Sequence, residues 1–190
     1  MIKSIIFDLD GVLVDTKDIH FEALNSALER SKSGAHISYE EHVKRFDGLP
    51  SNEKIRILNN EGRVNPKLNK KIKKLKQNIT ETILLKEVKP SKKITNLFQK
   101  LHKKYKLAIA TNAVKSTLDI CCKQLKLEKY ISFKISNEEV QFSKPHPEIY
   151  MQTMIALGSM PSETLIVEDS YVGRSAAQAS GGNLFPIKKL

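Results

Sequence analysis

Short apolar runs rich in β-branched residues recur along the chain, and between them apolar residues fall at helical spacing. The first run, Ile2, Ile5, Ile6 and Phe7, has the length and composition of a strand buried on both faces. Over residues 17–32, His20, Ala23, Leu24, Ala27 and Leu28 recur on one face, which predicts an amphipathic helix. Two more helices are predicted over 39–46 and 52–61. The GLPS turn between them, residues 48–51, offers Ser51 as an N-cap. Pro66 then opens a longer lysine-rich helix that runs to about Val88 and stops before Pro90.

From residue 91 the pattern changes to alternating helix and strand. A helix over 91–105 leads to the strand LAIAT (107–111), followed by a helix around 116–125 and a short strand near 133–136. A helix opened by Pro147, the strand TLIVED (164–169), a helix over 175–179 and a last strand, NLFPI, complete the chain. Such alternation predicts an α/β fold, a Rossmann-like doubly wound parallel sheet. An all-helical cap interrupts it after strand 1, so the expected domains are a core of residues 1–15 and 89–190 and a cap of residues 16–88. NLFPI is followed only by KKL, so that strand is expected to lack helical cover and to offer a weak contact to a second copy, the protein being a monomer or weak homo-oligomer.

Length and charge refine this picture only in places. A chain of 190 residues suffices for such a core with its insertion. No stretch approaches the roughly 18 apolar residues of a membrane span, and the N-terminus runs into strand 1 without a signal pattern, so a cytoplasmic protein is the default expectation. Cys121 and Cys122 are adjacent in a helical segment, a spacing that suits neither a structural disulfide nor zinc, and they read as reduced. The net charge of +11 is local. Residues 67–106 hold 14 lysines and no arginine, against only Glu81 and Glu87, while the rest of the chain is close to neutral. Without arginine, and with only Phe98 and Tyr105 as aromatics, this segment lacks the bidentate and stacking groups that base readout favours. Nucleic acid is therefore not the expected partner. A solvated helical face is expected instead, with steering of anionic substrates as the other use.

A parallel sheet gathers the C-terminal ends of its strands along one edge, where ligands bind in open α/β folds. Those ends carry Asp8 and Asp10, Thr111 and Asn112, the loop SKPHPEIY with Lys144, and Glu168 with Asp169. Singly each has a plain structural reading: a turn, a strand-end cap, a solvated lysine, an acidic pair at a helix N-terminus. Gathered in one pocket, four carboxylates repel one another by on the order of 4 kcal/mol per pair at about 4 Å and an effective dielectric near 20. A cation must offset that repulsion, and hard oxygen ligands with open positions favour Mg²⁺.

The ordered motifs DxDGxxxD, T, KPxPxIY and EDSxxG resemble the haloacid dehalogenase superfamily, in particular its phosphate-handling members with a helical cap after strand 1, and the resemblance covers nearly the whole chain. It implies Asp8 as nucleophile and Asp10 as general acid and base, with Thr111, the Asn112 backbone N–H and Lys144 binding and neutralising the phosphoryl group. It also implies a metal site of Asp8, the Asp10 carbonyl, Asp169, and Glu168 directly or through water. Gly11 is read as leaving room for a turn close to the substrate. The dehalogenating branch lacks an acid two residues after its nucleophile and needs no metal. DTKDIHFEAL resembles the start of the cap in the β-phosphoglucomutase-like branch, which acts largely on sugar phosphates. His20 therefore stands between a core residue and a substrate contact, and Lys115 between substrate contact and solvent exposure. Gly48 and Ser51 are expected to meet substrate from the cap loop, and His146 is a loop residue.

The reading that results is a Mg²⁺-dependent phosphomonoester hydrolase acting on a small phosphorylated metabolite. A phosphomutase is the alternative. It needs a second phosphate site in the cap, where the branch it resembles has an arginine shortly after the loop glycine. GLPSNEK has none before Arg56, and Lys54 or Arg56 could substitute only by facing the core. A basic nucleic-acid-binding protein on a vestigial phosphatase fold is the alternative of another class.

Overall fold

The computed structural model describes residues 1–187, and the KKL end lies outside them. Five parallel strands, β1 (Ser4–Phe7), β2 (Lys106–Ala110), β3 (Phe133–Ile135), β4 (Thr164–Glu168) and β5 (Asn183–Pro186), form one sheet in the order β3-β2-β1-β4-β5. The chain leaves β1 in one direction and returns on the other side of it. β1 thus sits at the switch point where open α/β sheets bind ligands. The register pairs Phe7 with Ile109 on one side and Val167 on the other, so the next residues, Asp8, Ala110 and Glu168, reach the same edge together.

Helices cover both faces. Ile5, Phe7, Leu107 and Ile109 pack with Phe98 of α5 (Lys92–Leu101) and with Leu118, Cys121 and Cys122 of α6 (Lys115–Gln124). Ile6, Ala108 and Ile166 pack on the opposite face. Their partners are Ile149, Tyr150 and Met154 of α7 (Glu148–Leu157) and Ala176 and Ala177 of α8 (Tyr171–Ala179). Both cysteines are buried free thiols. β5 is an edge strand on which Phe185 is exposed. Among the described residues no helix is long and apolar enough to cross a membrane.

The helical insertion after β1 comprises α1 (Lys17–Arg30), α2 (Tyr39–Glu41), a π-helical turn (His42–Phe46), α3 (Ser51–Asn60) and α4 (Asn69–Glu87). Leu24, Leu28, Ile37, Phe46, Ile55, Leu58 and Ile72 give it an apolar cluster of its own. α4 links that cluster to the sheet, because Ile72 lies in the insertion's cluster and Leu84 in the sheet's.

Three local expectations need correction. Ser51 is the first helical residue rather than the N-cap, which is the extended Pro50, since a proline without an N–H is well placed ahead of the first turn. Residues 42–46 widen into a π turn instead of continuing α2. α8 begins at Tyr171, one turn earlier than predicted, because Ser170 caps it by accepting from the Gly173 N–H at 2.9 Å.

Candidate active site

The edge formed by Asp8 and Glu168 is the floor of a cavity of about 300 Å³ whose other wall comes from the helical insertion. Asp8, Asp10, Thr111, Asn112, Lys144, Glu168 and Asp169 line it from the sheet side, and His20, Gly48 and Ser51 from the insertion. Lys115 does not. It is exposed on α6, its backbone N–H bonded to Glu138 and its ammonium 3.5 Å from Glu139. His146 is a loop residue outside the cavity lining, packed on Phe142.

Lys144 organises the floor. Its buried ammonium donates to Asp8 Oδ1 at 2.6 Å, to Glu168 Oε1 at 2.7 Å and to the Ala110 carbonyl at 2.9 Å, and it lies over the Tyr150 ring. Against its burial, Asp8 and Glu168 hold this ammonium above its ordinary pKa. Burial, and then Glu168, push the Asp8 carboxyl well above the usual range, while Lys144 pulls it down. One lysine does not neutralise this floor.

Glu168 is fully engaged. One oxygen takes Lys144 and the Tyr150 hydroxyl, the other the N–H groups of Asp169 and Ser170 and the Ser170 hydroxyl. Asp169 differs, because its Oδ1 is buried without a partner, and burial with the nearby Glu168 raises its carboxyl to about 6. Asp8, Glu168 and Asp169 each bring a carboxylate oxygen within 4.8 Å of the others. An orphaned buried oxygen among hard donors fits a divalent cation.

Gly11 and Gly173 make this packing possible. Gly11 has φ +81°, and a Cβ there would stand 2.0 Å from Asp169 Oδ2. A Cβ on Gly173 would stand 1.8 Å from Glu168 Oε1. The space beside Gly11 thus belongs to Asp169. Gly11→Ala is expected to displace that carboxylate and to lower kcat by about two orders of magnitude, the cost of misplacing a reacting group by roughly 1 Å, with weakened response to added Mg²⁺. Steady-state turnover over a Mg²⁺ titration measures both.

Asp10 is held differently from Asp8. Thr16 donates to its Oδ1 at 2.5 Å and Thr111 to its Oδ2 at 3.3 Å, and His20 Nε2 lies 3.4 Å away. Although burial opposes it, His20, Thr16 and Lys76 keep this carboxyl below the usual range. His20 itself is lowered to about 4 by burial and by the Lys76 charge, so it is neutral at pH 7. Lys76 Nζ lies 3.3 Å from its Nδ1, which assigns the ring proton to Nε2, facing Asp10. His20 thus joins the insertion to Asp10 instead of serving as apolar filling.

Asn112 acts across the same gap. Its amide donates to the carbonyls of Gly48 and Lys144, and its Oδ1 accepts from the Lys144 N–H. Gly48 has φ +75° and stands against Ser170, which brings the insertion's loop onto the floor.

Sequence reasoning missed Thr16, Lys76 and Tyr150, whereas Lys54, named only as a stand-in that would have to face the core, does line the cavity. Thr16 stands at the N-cap position of α1 but spends its hydroxyl on Asp10. Lys76 was hidden in the lysine run. Its signal is its place in the buried stripe Ile72, Lys76, Thr80, Leu84, one residue every fourth position. The neighbouring Lys70, Lys71, Lys73 and Lys74 are exposed, as a solvated face requires.

A family model for haloacid dehalogenase-like hydrolases matches residues 5–186. The phosphorylated carbohydrates phosphatase of Thermotoga maritima is 32% identical over 182 residues, 94% of this chain and 82% of that protein. Pyrophosphatase PpaX of Anoxybacillus flavithermus is 28% identical and matches 98% of this chain and 86% of its own length. The fold is also that of CbbY from Rhodobacter sphaeroides in complex with phosphate, with a TM-score of 0.87 at 22% identity over 98% of this chain and 86% of that one. A β-phosphoglucomutase from Clostridium difficile superposes with a TM-score of 0.82, again at 22% identity, over 97% and 83% of the two chains.

Proposed function

The chain belongs to the haloacid dehalogenase-like hydrolase family, as one of its phosphatases, and from that premise we propose that it hydrolyses phosphomonoesters of small metabolites, sugar phosphates foremost, with Mg²⁺ as cofactor. The observation that carries this reading is Asp8 on Lys144, beside the orphaned Asp169 oxygen, at the floor of a cavity closed by the insertion.

Asp8 and Asp169, with the Asp10 carbonyl, would hold the cation, and Glu168 would reach it through water. When bound, it neutralises the carboxylates and polarises phosphoryl oxygens. Asp8 attacks phosphorus, and the P–O bond to the metabolite breaks as an aspartyl phosphate forms. Lys144 opposes the protonation of Asp8 that burial and Glu168 favour and offsets charge on the phosphoryl oxygens, toward which Thr111 would turn the hydroxyl proton it gives Asp10 at rest. Asp10 protonates the leaving oxygen and then takes a proton from the water that cleaves the aspartyl phosphate. Its low resting pKa suits the second step. The negative charge of a bound phosphoryl group raises it for the first.

A hydrolase is favoured over a mutase because the cap loop offers no arginine to a second phosphate. Of the two cations that could stand in for it, Arg56 is exposed and paired with Glu53 at 2.7 Å, and only Lys54 lines the cavity. The relatives suggest a panel of phosphorylated sugars and pyrophosphate, screened with and without Mg²⁺. Turnover that EDTA abolishes and Mg²⁺ restores is expected. Full turnover after exhaustive chelation would contradict the reading.

A further inference from the structure

Gln77 follows Lys76 on α4 and, like Thr117 of α6, lines the cavity. Its amide nitrogen lies 2.8 Å from Glu81 Oε1, 3.0 Å from Ser116 Oγ and 3.1 Å from Thr117 Oγ1. Ser116 gives its own proton to Glu81 Oε1 at 2.6 Å, so its lone pairs remain to accept. Of the two ends of the Gln77 amide, only the NH₂ group can meet a carboxylate and a hydroxyl whose proton is already given. The network thus fixes which end of the amide is nitrogen and which is oxygen. The oxygen has no hydrogen-bond partner among the described residues.

The location limits what this oxygen can serve. Glu81 and Ser116 lie outside the cavity lining, so the nitrogen is held toward the back of the wall and the other end of the amide is left for the cavity. Lys76, one residue earlier, lies 3.3 Å from His20 Nδ1, and His20 Nε2 lies 3.4 Å from Asp10. Asp10 protonates the leaving oxygen. This stretch of wall therefore stands beside the alcohol half of the substrate rather than beside the phosphoryl group on Asp8. The donors that a small phosphorylated metabolite offers there are its hydroxyls. An acceptor that is already oriented needs no rearrangement to take one, and a substrate without it leaves the acceptor unpaired.

We propose that Gln77 Oε1 is a fixed acceptor for a hydroxyl of the substrate's alcohol half, with Glu81 as the positioning residue that holds the amide in that orientation. The enzyme then selects hydroxylated phosphomonoesters, sugar or polyol phosphates, over apolar ones of the same shape. This rests on the phosphatase reading above. Glu81 does not touch substrate. It acts through Gln77, and Ser116 and Thr117 share the same amide from α6.

Matched substrates test it. n-Propyl phosphate is glycerol 3-phosphate without its hydroxyls, and cyclohexylmethyl phosphate is a hydroxyl-free counterpart of glucose 6-phosphate. In at least one pair the wild-type enzyme should favour the hydroxylated member in kcat/KM. Gln77→Met, which keeps the length of the side chain without the acceptor, should shrink that ratio about five- to tenfold, the loss of one neutral hydrogen bond. Glu81→Gln should shrink it about threefold from outside the cavity lining, because an amide at that position no longer dictates which end of Gln77 it meets. If Gln77 only staples α4 to α6, Gln77→Met should lower the melting point and slow both members alike, with the ratio still at its wild-type value. That result, or equal wild-type rates within both pairs, would overturn the acceptor and leave the phosphatase reading standing. A wild-type ratio in Glu81→Gln alone would overturn the part given to Glu81. No Mg²⁺-dependent turnover of any phosphomonoester would overturn acceptor and phosphatase reading together.

Discussion

Asp8→Asn is expected to lower kcat by at least about four orders of magnitude while the protein stays folded. The amide is isosteric, and its oxygen can still accept from Lys144, which now sits 2.6 Å from the carboxylate. What it lacks is a charged oxygen able to attack phosphorus, and no neighbouring group replaces it. Glu168 is fully buried with both oxygens engaged, and Asp10 faces Thr16 and His20. Losing a single essential nucleophile typically costs as much as losing the whole catalytic unit. Stability should hold or rise, because the substitution removes one of the crowded carboxylates, each pair of which repels by on the order of 4 kcal/mol at about 4 Å and an effective dielectric near 20. Turnover and a thermal melt of the same preparation check both. Residual turnover within tenfold of wild type would mean that another group attacks phosphorus.

Lys144→Met should cost both activity and stability. It leaves Asp8 and Glu168 buried and adjacent with no cation between them. Breaking a buried pair by removing one partner typically costs about 3–5 kcal/mol, about 10 °C in Tm for a domain of this size. Activity should fall at least about a thousandfold, as Asp8 loses the one charge that opposes its protonation. The pH dependence has a definite sign. In the wild type the Asp8 carboxyl is already raised by burial and by Glu168, and only Lys144 opposes this. Without Lys144 it rises further, so the folded variant holds a proton that the unfolded chain has lost. The variant's own stability should fall as pH rises above about 4, the unfolded carboxylate value, and its deficit against wild type should widen once pH passes the wild type's own raised Asp8 value. Melting curves of the metal-free variant and wild type across that range measure it. A deficit independent of pH would mean that Lys144 acts through packing alone.

The strands were legible because runs such as IIF and LAIA are β-branched and apolar, and because alternation with helices leaves few arrangements other than a parallel sheet. Their ends were legible too, since register alone carries Asp8 and Glu168 to one edge. Two kinds of feature were not. Local hydrogen bonding decides helix ends, so the Ser170 cap of α8 and the π turn at His42–Phe46 left no periodic trace. Side-chain direction was the other. Lys76 and Lys74 look alike in a lysine run, yet a helix turns one into the cavity and the other to solvent, and Lys115, one position into α6, turns toward Glu139 rather than the site. Gly11 was read as clearance for substrate, whereas the space is taken by Asp169, a contact more than a hundred and fifty residues away in sequence.

The central claim is that Asp8 carries the phosphoryl group between its donor and water. Quenching the Mg²⁺-loaded enzyme in acid during turnover of a ³²P-labelled substrate, followed by peptide mapping, tests it directly. Label on the peptide that contains Asp8, released by mild base and absent from Asp8→Asn, is the predicted result. Turnover with no labelled enzyme at any quench time, or label mapped to another residue, would contradict it.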